Sequence, residues 1–535
     1  MSAVSALGRL RAAATGYAQP AATVRHRHLS DRPMVFVPYA MSGEAFAPLA
    51  ALVGDDPAAP HLLVVPQPRD RDRRFTHVTE LAAVLVPYLT EYFDKTETVE
   101  RRNDDPYERA LDAPQLIVPS PAGVEYVGLL GRSTRFRRPD GDYPVHPDVP
   151  LLGRWSTYLA ERARTPGSSV LLAVTDLLTQ AWATGQSDLE NGELAALLGW
   201  IDPAPGRSGA EAARDAEGAP PAGPTTDPEF DARLNPLIAG FDAAQRTGNP
   251  RDAARAEERI RDTLGAELMP TWERVWRGLE LLRELPAGAS VAGRWETDRM
   301  SYSLFAHDLA SPDSRPQPRI PGAVAAAQQL VRREQAQARL EMEQLRDDPL
   351  LMAEARLLGQ AFRGEVVDVE ADRMVTEPGK KQARPRPLLV VHTSDEPLLS
   401  LDAELECVER PKAKAKLLAV TDGPDGMREV TFELTGGMGR GKNPDEGSVP
   451  EEGEVLCWTL AASGFRGGPK WPAPEETPWT HGGPPESSTP DADAHEPEDE
   501  IPTVPSQPAP PPQPPVLPQR EPDEEELAAA AEPWG

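Results

Sequence analysis

The segment Gly436-Gly437-Met438-Gly439-Arg440-Gly441-Lys442 has the spacing of a phosphate-binding loop, GxxxxGK, and follows the strand-like run Val430 to Leu434. A working loop of this kind needs a hydroxyl after the lysine to hold magnesium. It also needs a helix whose N-terminus faces the phosphates. Asn443 stands in the hydroxyl's place, and NPDEGSVPEEG, with its prolines and glycines, follows where the helix should begin. The segment therefore reads as a loop between two strands. No nucleotide cofactor is expected, while Arg440 and Lys442 stay available to touch a polyanion.

Other chemistries are sought in the same way. His26 and His28 alternate with Arg25 and Arg27, and His307 and His392 lack metal-ligating neighbours in sequence, so no metal site is expected. Asp70 and Asp72 sit among Arg69, Arg71, Arg73 and Arg74, which reads as a solvated charge run. There is no GxSxG elbow for a serine hydrolase. No lysine has an acid two positions before it, which removes the commonest nuclease signature. Cys407 and Cys457 are two cysteines only, too few for a four-ligand zinc site, and read as buried fillers of strands. No catalytic, cofactor-binding or metal-ligating residue is assigned, and the reading leans away from an enzyme.

Basic clusters remain. Of the eight lysines, seven lie between 380 and 470. Lys380, Lys381, Arg384 and Arg386 crowd one loop, and Lys412, Lys414 and Lys416 crowd another. The alternation in the second set puts its lysines on one face of a strand. Such a face suits phosphates, and it equally suits the protection of an edge strand, so both readings stay open.

The elements that must carry these residues follow from pattern. Residues 1–29 read as a frayed N-terminus. Residues 30–202 read as an α/β or α+β domain, with strands in MVFVPY, HLLVVPQ, QLIVPS and YVGLL, helices after Pro150, and a helix with Pro87 inside it. Polar residues gathered at strand ends near Tyr39, Gln67 and Ser120 would be the place for an active site in that domain. Residues 203–228 have the composition of a Pro/Ala/Gly linker. Residues 229–363 read as a helical region. In it Pro270 starts a helix with Trp272, Val275, Trp276, Leu279 and Leu282 as a core stripe, 286–320 is a looser connection, and a break at Asp347-Asp348-Pro349 makes a helical hairpin. Six strand-like runs in 364–470 predict a small antiparallel β-barrel. Its expected inward residues are Val366, Val390, Leu405, Cys407, Val430, Phe432, Leu434, Val455 and Cys457.

Residues 471–535 hold 15 acids and one base, with 18 prolines, and are expected to be a disordered acidic tail that serves as spacer, tether or nucleic-acid mimic. The whole chain of 535 residues carries a formal charge of −29, from 56 Lys+Arg against 85 Asp+Glu. A chain so acidic is no general binder of phosphate backbone, so any nucleic-acid contact must be local. No apolar run is long enough to span a bilayer, and a reducing cytoplasm is the expected compartment.

The order from Pro321 to Lys470 resembles the accessory stalk and β-barrel of superfamily-one helicases of the nonsense-decay type. The residues that carry the likeness are the two-helix stalk, Gly364-Glu-Val-Val-Asp-Val-Glu, the basic loop, Arg386-Pro-Leu-Leu-Val-Val-His-Thr and the closing Gly-Met-Gly, Pro and Gly-Glu-Val-Leu. In that family the barrel sits on the motor and guides single-stranded nucleic acid. The likeness covers about 150 residues and excludes the ATPase, so no catalytic residue carries over. It implies a motorless companion of a helicase or ATPase, a non-catalytic interaction protein that pairs with a protein partner. The alternatives are an enzyme with its site in 30–202, or a single-strand binder using 364–470.

Overall fold

A computed structural model describes residues 3–44, 47–100, 106–376, 379, 382–439, 441, 443–460 and 471, all within one compact unit, Met1–Trp471. The expected acidic tail beyond Trp471 lies outside the described residues, as do Lys380, Lys381, Arg440 and Lys442.

The body is a sheet with helices on both faces. Its strands are β1 (Met34–Ala40), β2 (Pro48–Gly54), β3 (His61–Val64), β4 (Leu116–Val118) and β5 (Leu171–Ala173), in the order β3-β2-β1-β4-β5. β1 runs parallel to β4 and β4 to β5, while β2 is antiparallel to both β1 and β3. A strand covered on both faces reads as an unbroken apolar run, and β1 and β2 are buried at every position.

Alternate side chains enter two cores. Met34, Phe36, Ala51 and Val53 face α2 (Arg71–Glu91), α3 (Pro121–Thr134), α4 (Asp148–Ala163) and α10 (Val291–Ala310). Val35, Val37, Tyr39 and Leu52 face α5 (Val174–Ala181), α6 (Leu194–Ile201), α8 (Pro228–Thr247) and α9 (Pro250–Glu284). Burying a side chain of this size contributes about 1.5–3 kcal/mol relative to leaving it exposed.

This architecture corrects the expected division into an N-terminal domain, a linker and a separate helical region. α8, α9 and α10 cover the sheet faces, so 229–310 belongs to the same cores as 30–202. Trp272, Val275, Trp276, Leu279 and Leu282 form the expected stripe, but α9 runs through Pro270 without restarting. The expected loose connection contains α10. Its inner face mixes Trp295 and Tyr302 with buried Arg294 and Asp298, which breaks the apolar period that marks a helix in sequence. Residues of the expected linker form α7 (Gly209–Asp215), opened by a capping box between Ser208 and Glu211, and bury Ala213, Ala222 and Thr226. The expected frayed terminus forms α1 (Ala3–Thr15), which buries Ala12. YVGLL lies inside α3 rather than in a strand.

Beyond the body, α11 (Ala323–Asp347) and α12 (Pro349–Leu357) lead into six antiparallel strands. These are β6 (Ala361–Glu370), β7 (Leu388–Thr393), β8 (Glu404–Cys407), β9 (Lys414–Asp422), β10 (Arg428–Gly436) and β11 (Val455–Leu460). Pairing follows β6-β7-β10-β9-β8-β11 and returns to β6 through Phe362 opposite Trp458, closing the sheet. Two features go beyond the expected small antiparallel barrel over 364–470. The strands begin at Ala361, and they share one compact unit with the body.

The inward set is also corrected. Leu389, Val391, Leu456 and Trp458 fill the interior in place of Val390, Val455 and Cys457, because LLVV and VLCW are apolar on both registers and a one-residue slip exchanges the faces. At the β6 corner a Cβ on Gly364 would lie 2.3 Å from the His392 carbonyl oxygen, so glycine is required there.

The strands are tied to the body through the start of α12. Asp348 caps α12 by accepting from the Leu350 N–H (2.9 Å). It also accepts from the backbone N–H (3.0 Å) and hydroxyl (2.9 Å) of Thr23, and His26 Nε2 lies 3.5 Å away. Asp347 accepts from Ser290, and Arg294 reaches Glu343 at 2.5 Å.

Candidate functional site

In an open α/β sheet the crevice outside the carboxyl ends of parallel strands is the usual ligand site. Here that place is occupied by the chain's own residues after α7. The Ala40 N–H donates to the Pro224 carbonyl (2.7 Å), and the Thr226 N–H donates to the Ala40 carbonyl (3.1 Å). Ser120 Oγ, at the end of β4, donates to the Gly223 carbonyl (3.2 Å). Tyr39 Oη reaches Glu267 at 3.4 Å, and Gln67 donates to Asp242 at 2.7 Å.

The three polar residues expected at strand ends are therefore at the expected end of the sheet, but each faces a partner from 223–267. Burial pushes the Tyr39 hydroxyl up, and Glu267 beside it adds to the shift. Burial likewise raises Glu267, with Arg233 opposing. Both changes favour the neutral forms, and the two groups face one another across a packed wall.

The barrel residues expected to touch a polyanion divide into several groups. Lys414 and Lys416 do share the outer face of β9, with Ala415 and Leu417 inward. Each already has a carboxylate: Lys414 Nζ is 3.3 Å from Glu406, and Lys416 Nζ is 2.8 Å from Asp402. Lys412 lies in the turn before β9, separate from that face. Arg384 is exposed in a two-residue strand paired with Met374 and Val375. Arg386 is turned onto the carbonyls of Pro385 and Thr435. The described members are thus not gathered into one cationic surface.

After Gly436 the chain continues without a helix among the described residues up to β11. Gly437 and Gly439 take positive φ (89° and 87°). A Cβ on Gly439 would strike the Asp445 carboxylate, so an acid packs where a phosphate loop would need room for an anion. An open groove of about 500 Å³ lies beside it, with Val369, Val449 and Pro450 in its lining and Asp445, Glu451 and Glu452 as its charges. Carboxylates there repel a phosphate backbone.

Cys407 and Cys457 are both free and buried. Burial pushes their thiols up to about 12 and about 11, so both stay protonated at neutral pH. Cys407 enters the interior, whereas Cys457 is not part of it. Of the histidines, His28 stacks on Trp295 with ring centroids 4.0 Å apart, and His392 pairs with Glu429 at 3.2 Å. Among the described residues no group of three metal-ligating side chains forms. No helix among them is long and apolar enough to cross a membrane.

No family model, curated protein or solved structure matches this chain. The helicase association expected from the stalk-and-strand order is therefore corrected: no relative ties the chain to a helicase, and the order of helices and strands does not carry that assignment alone.

Proposed function

We propose that this chain is a non-catalytic interaction protein, with the α/β/α body as a scaffold and a protein as its partner. The observation that supports this reading most is the occupied crevice at the ends of β1 and β4, where residues 223–226 pair with Ala40 and Ser120. A second support is that the polar groups there are hydrogen-bonded to partners within the chain, Tyr39 to Glu267 and Gln67 to Asp242.

Incubating the purified full chain with a metabolite extract, followed by mass spectrometry over time, tests the proposal. No metabolite should fall in a protein-dependent way. A turnover that is lost in Ser120→Ala or Tyr39→Phe would overturn it. In parallel, amine-directed crosslinking in native extract should give one reproducible protein partner, and the lysines concentrated between 380 and 470 report contacts there.

A further inference from the structure

Against the formal charge of −29, arginines gather at one place on the surface, with Asp140, Asp142, Asp308 and Asp313 interspersed among them. α3 ends in Arg132-Ser-Thr-Arg135-Phe136-Arg137-Arg138, and the chain after α10 crosses it at residues 311–320. Arg135 fastens the crossing: its Nε donates to the Gln317 carbonyl (3.1 Å) and its Nη2 to the Pro318 carbonyl (3.5 Å). Arg154 of α4 donates to the Arg315 carbonyl (3.3 Å), and Gln317 returns a bond to the Arg154 carbonyl (2.9 Å). Arg319 is thereby brought over Phe136, 5.2 Å from the ring centroid, with Arg135 at 4.6 Å from the same ring.

Two groups of arginines about 180 residues apart in sequence thus share one surface. Arg132, Arg138, Arg315 and Arg319 are exposed, and their side chains have no ion pair among the described residues. Arg135 is 4% exposed, and its Nη1 is buried without a hydrogen-bond partner. Mutual repulsion with Arg319 and Arg132 adds to burial in lowering its affinity for a proton, and the opposing carboxylate is Glu161.

A helix C-terminus attracts cations, which accounts for Arg132 and Arg135. It does not account for Arg138, Arg315 and Arg319. Aromatic rings interleave with the cations: Arg137 and Arg71 both lie over Phe75, and Arg71 also lies over Tyr143, which is 66% exposed.

We propose that this surface, built from the end of α3 and the 311–320 crossing, binds single-stranded nucleic acid. Arg132, Arg138, Arg315 and Arg319 contact phosphates, and Tyr143 offers a face for a base. Guanidinium groups fit phosphate oxygens two at a time, and aromatic rings add sequence-tolerant stacking. The paired lysines of β9 take no part.

The test is fluorescence anisotropy with the full chain and a labelled oligonucleotide of about 20 nucleotides at about 50 mM salt. Binding is expected, and Arg132→Gln/Arg138→Gln/Arg319→Gln should weaken it about tenfold or more. The slope of log affinity against log salt should fall by about 2, near 0.7 for each lost contact. Tyr143→Ala should weaken single-strand binding while leaving duplex binding unchanged. Lys412→Gln/Lys414→Gln/Lys416→Gln should leave the affinity as it was. The substituted arginines are exposed, so an unchanged melting curve shows that the variant is folded. No binding, an unaffected triple arginine variant, or loss on substituting the lysines would overturn the assignment. Equal binding of poly-glutamate would overturn it in favour of an acidic protein partner.

Discussion

Arg162–Asp298 in the body and Lys416–Asp402 on the strands beyond it are both short ion pairs, 2.5 Å and 2.8 Å. They differ in what surrounds them. Asp298 is completely buried and also accepts from the Ser168 hydroxyl (2.9 Å) and the Ser169 N–H (2.7 Å). The Lys416 side chain is 40% exposed and that of Asp402 73%. Distance alone does not rank these pairs. Breaking the first strands a charge away from water, whereas breaking the second releases two charges to solvent.

The largest effect is expected at Asp298. Asp298→Ala leaves Arg162 facing an emptied polar site and should cost about 3–5 kcal/mol in chemical denaturation. A loss under about 1 kcal/mol would erase the distinction between the two regions.

Next is His77, fully buried in α2 and pushed down to about 4 by burial. The folded protein holds it neutral, while the unfolded chain protonates it below about pH 6.5. Stability should therefore be complete above pH 6.5 and fall as pH drops toward 4, by about 3 kcal/mol at that point. His77→Leu should flatten the stability profile in this window.

Asp348 comes third. Burial would raise its carboxyl, but the His26 ring 3.5 Å away and hydrogen bonds from the Thr23 N–H, the Leu350 N–H and the Thr23 hydroxyl outweigh it and hold it at about 2. Its folded value lies below the unfolded one, so its contribution is present above about pH 4 and is lost as pH falls through 2. Wild type should exceed Asp348→Asn by about 2 kcal/mol at neutral pH, with the gap closing in acid. A gap that stays constant down to pH 2 would show that the carboxylate charge is not what ties α12 to the segment at Thr23.

The smallest effect is at Lys416. Lys416→Gln should cost under about 0.5 kcal/mol, and less in high salt.

Several elements are legible in the amino-acid sequence itself. MVFVPY, HLLVVPQ and QLIVPS are strands β1, β3 and β4, since continuous β-rich apolar runs bounded by proline leave few other conformations. The Trp272 stripe is core, and the break at Asp348-Pro349 starts a helix. β2, PLAALVG, was missed because alanine and leucine favour helix when read locally. α10 is not legible because the buried charges of Arg294 and Asp298, whose partners Glu343 and Arg162 lie on other helices, interrupt its apolar face. The lysine clusters were visible, but their carboxylate partners were not: Glu406 and Asp402 reach Lys414 and Lys416 from the neighbouring strand and the turn before it. The arginine surface could not be seen at all, because Arg132–Arg138 and Arg315–Arg319 meet only where 311–320 crosses α3.

The residues alone decided the local matters: which runs become strands or helices, where glycine and proline end them, and how much net charge the chain carries. These depend on neighbours within a few positions. Tertiary structure decided which charges are paired, which face of LLVV and VLCW turns inward, and that the strand-end crevice is filled by residues 223–226. Each of these depends on contacts between segments tens to hundreds of residues apart, and no local pattern encodes such contacts.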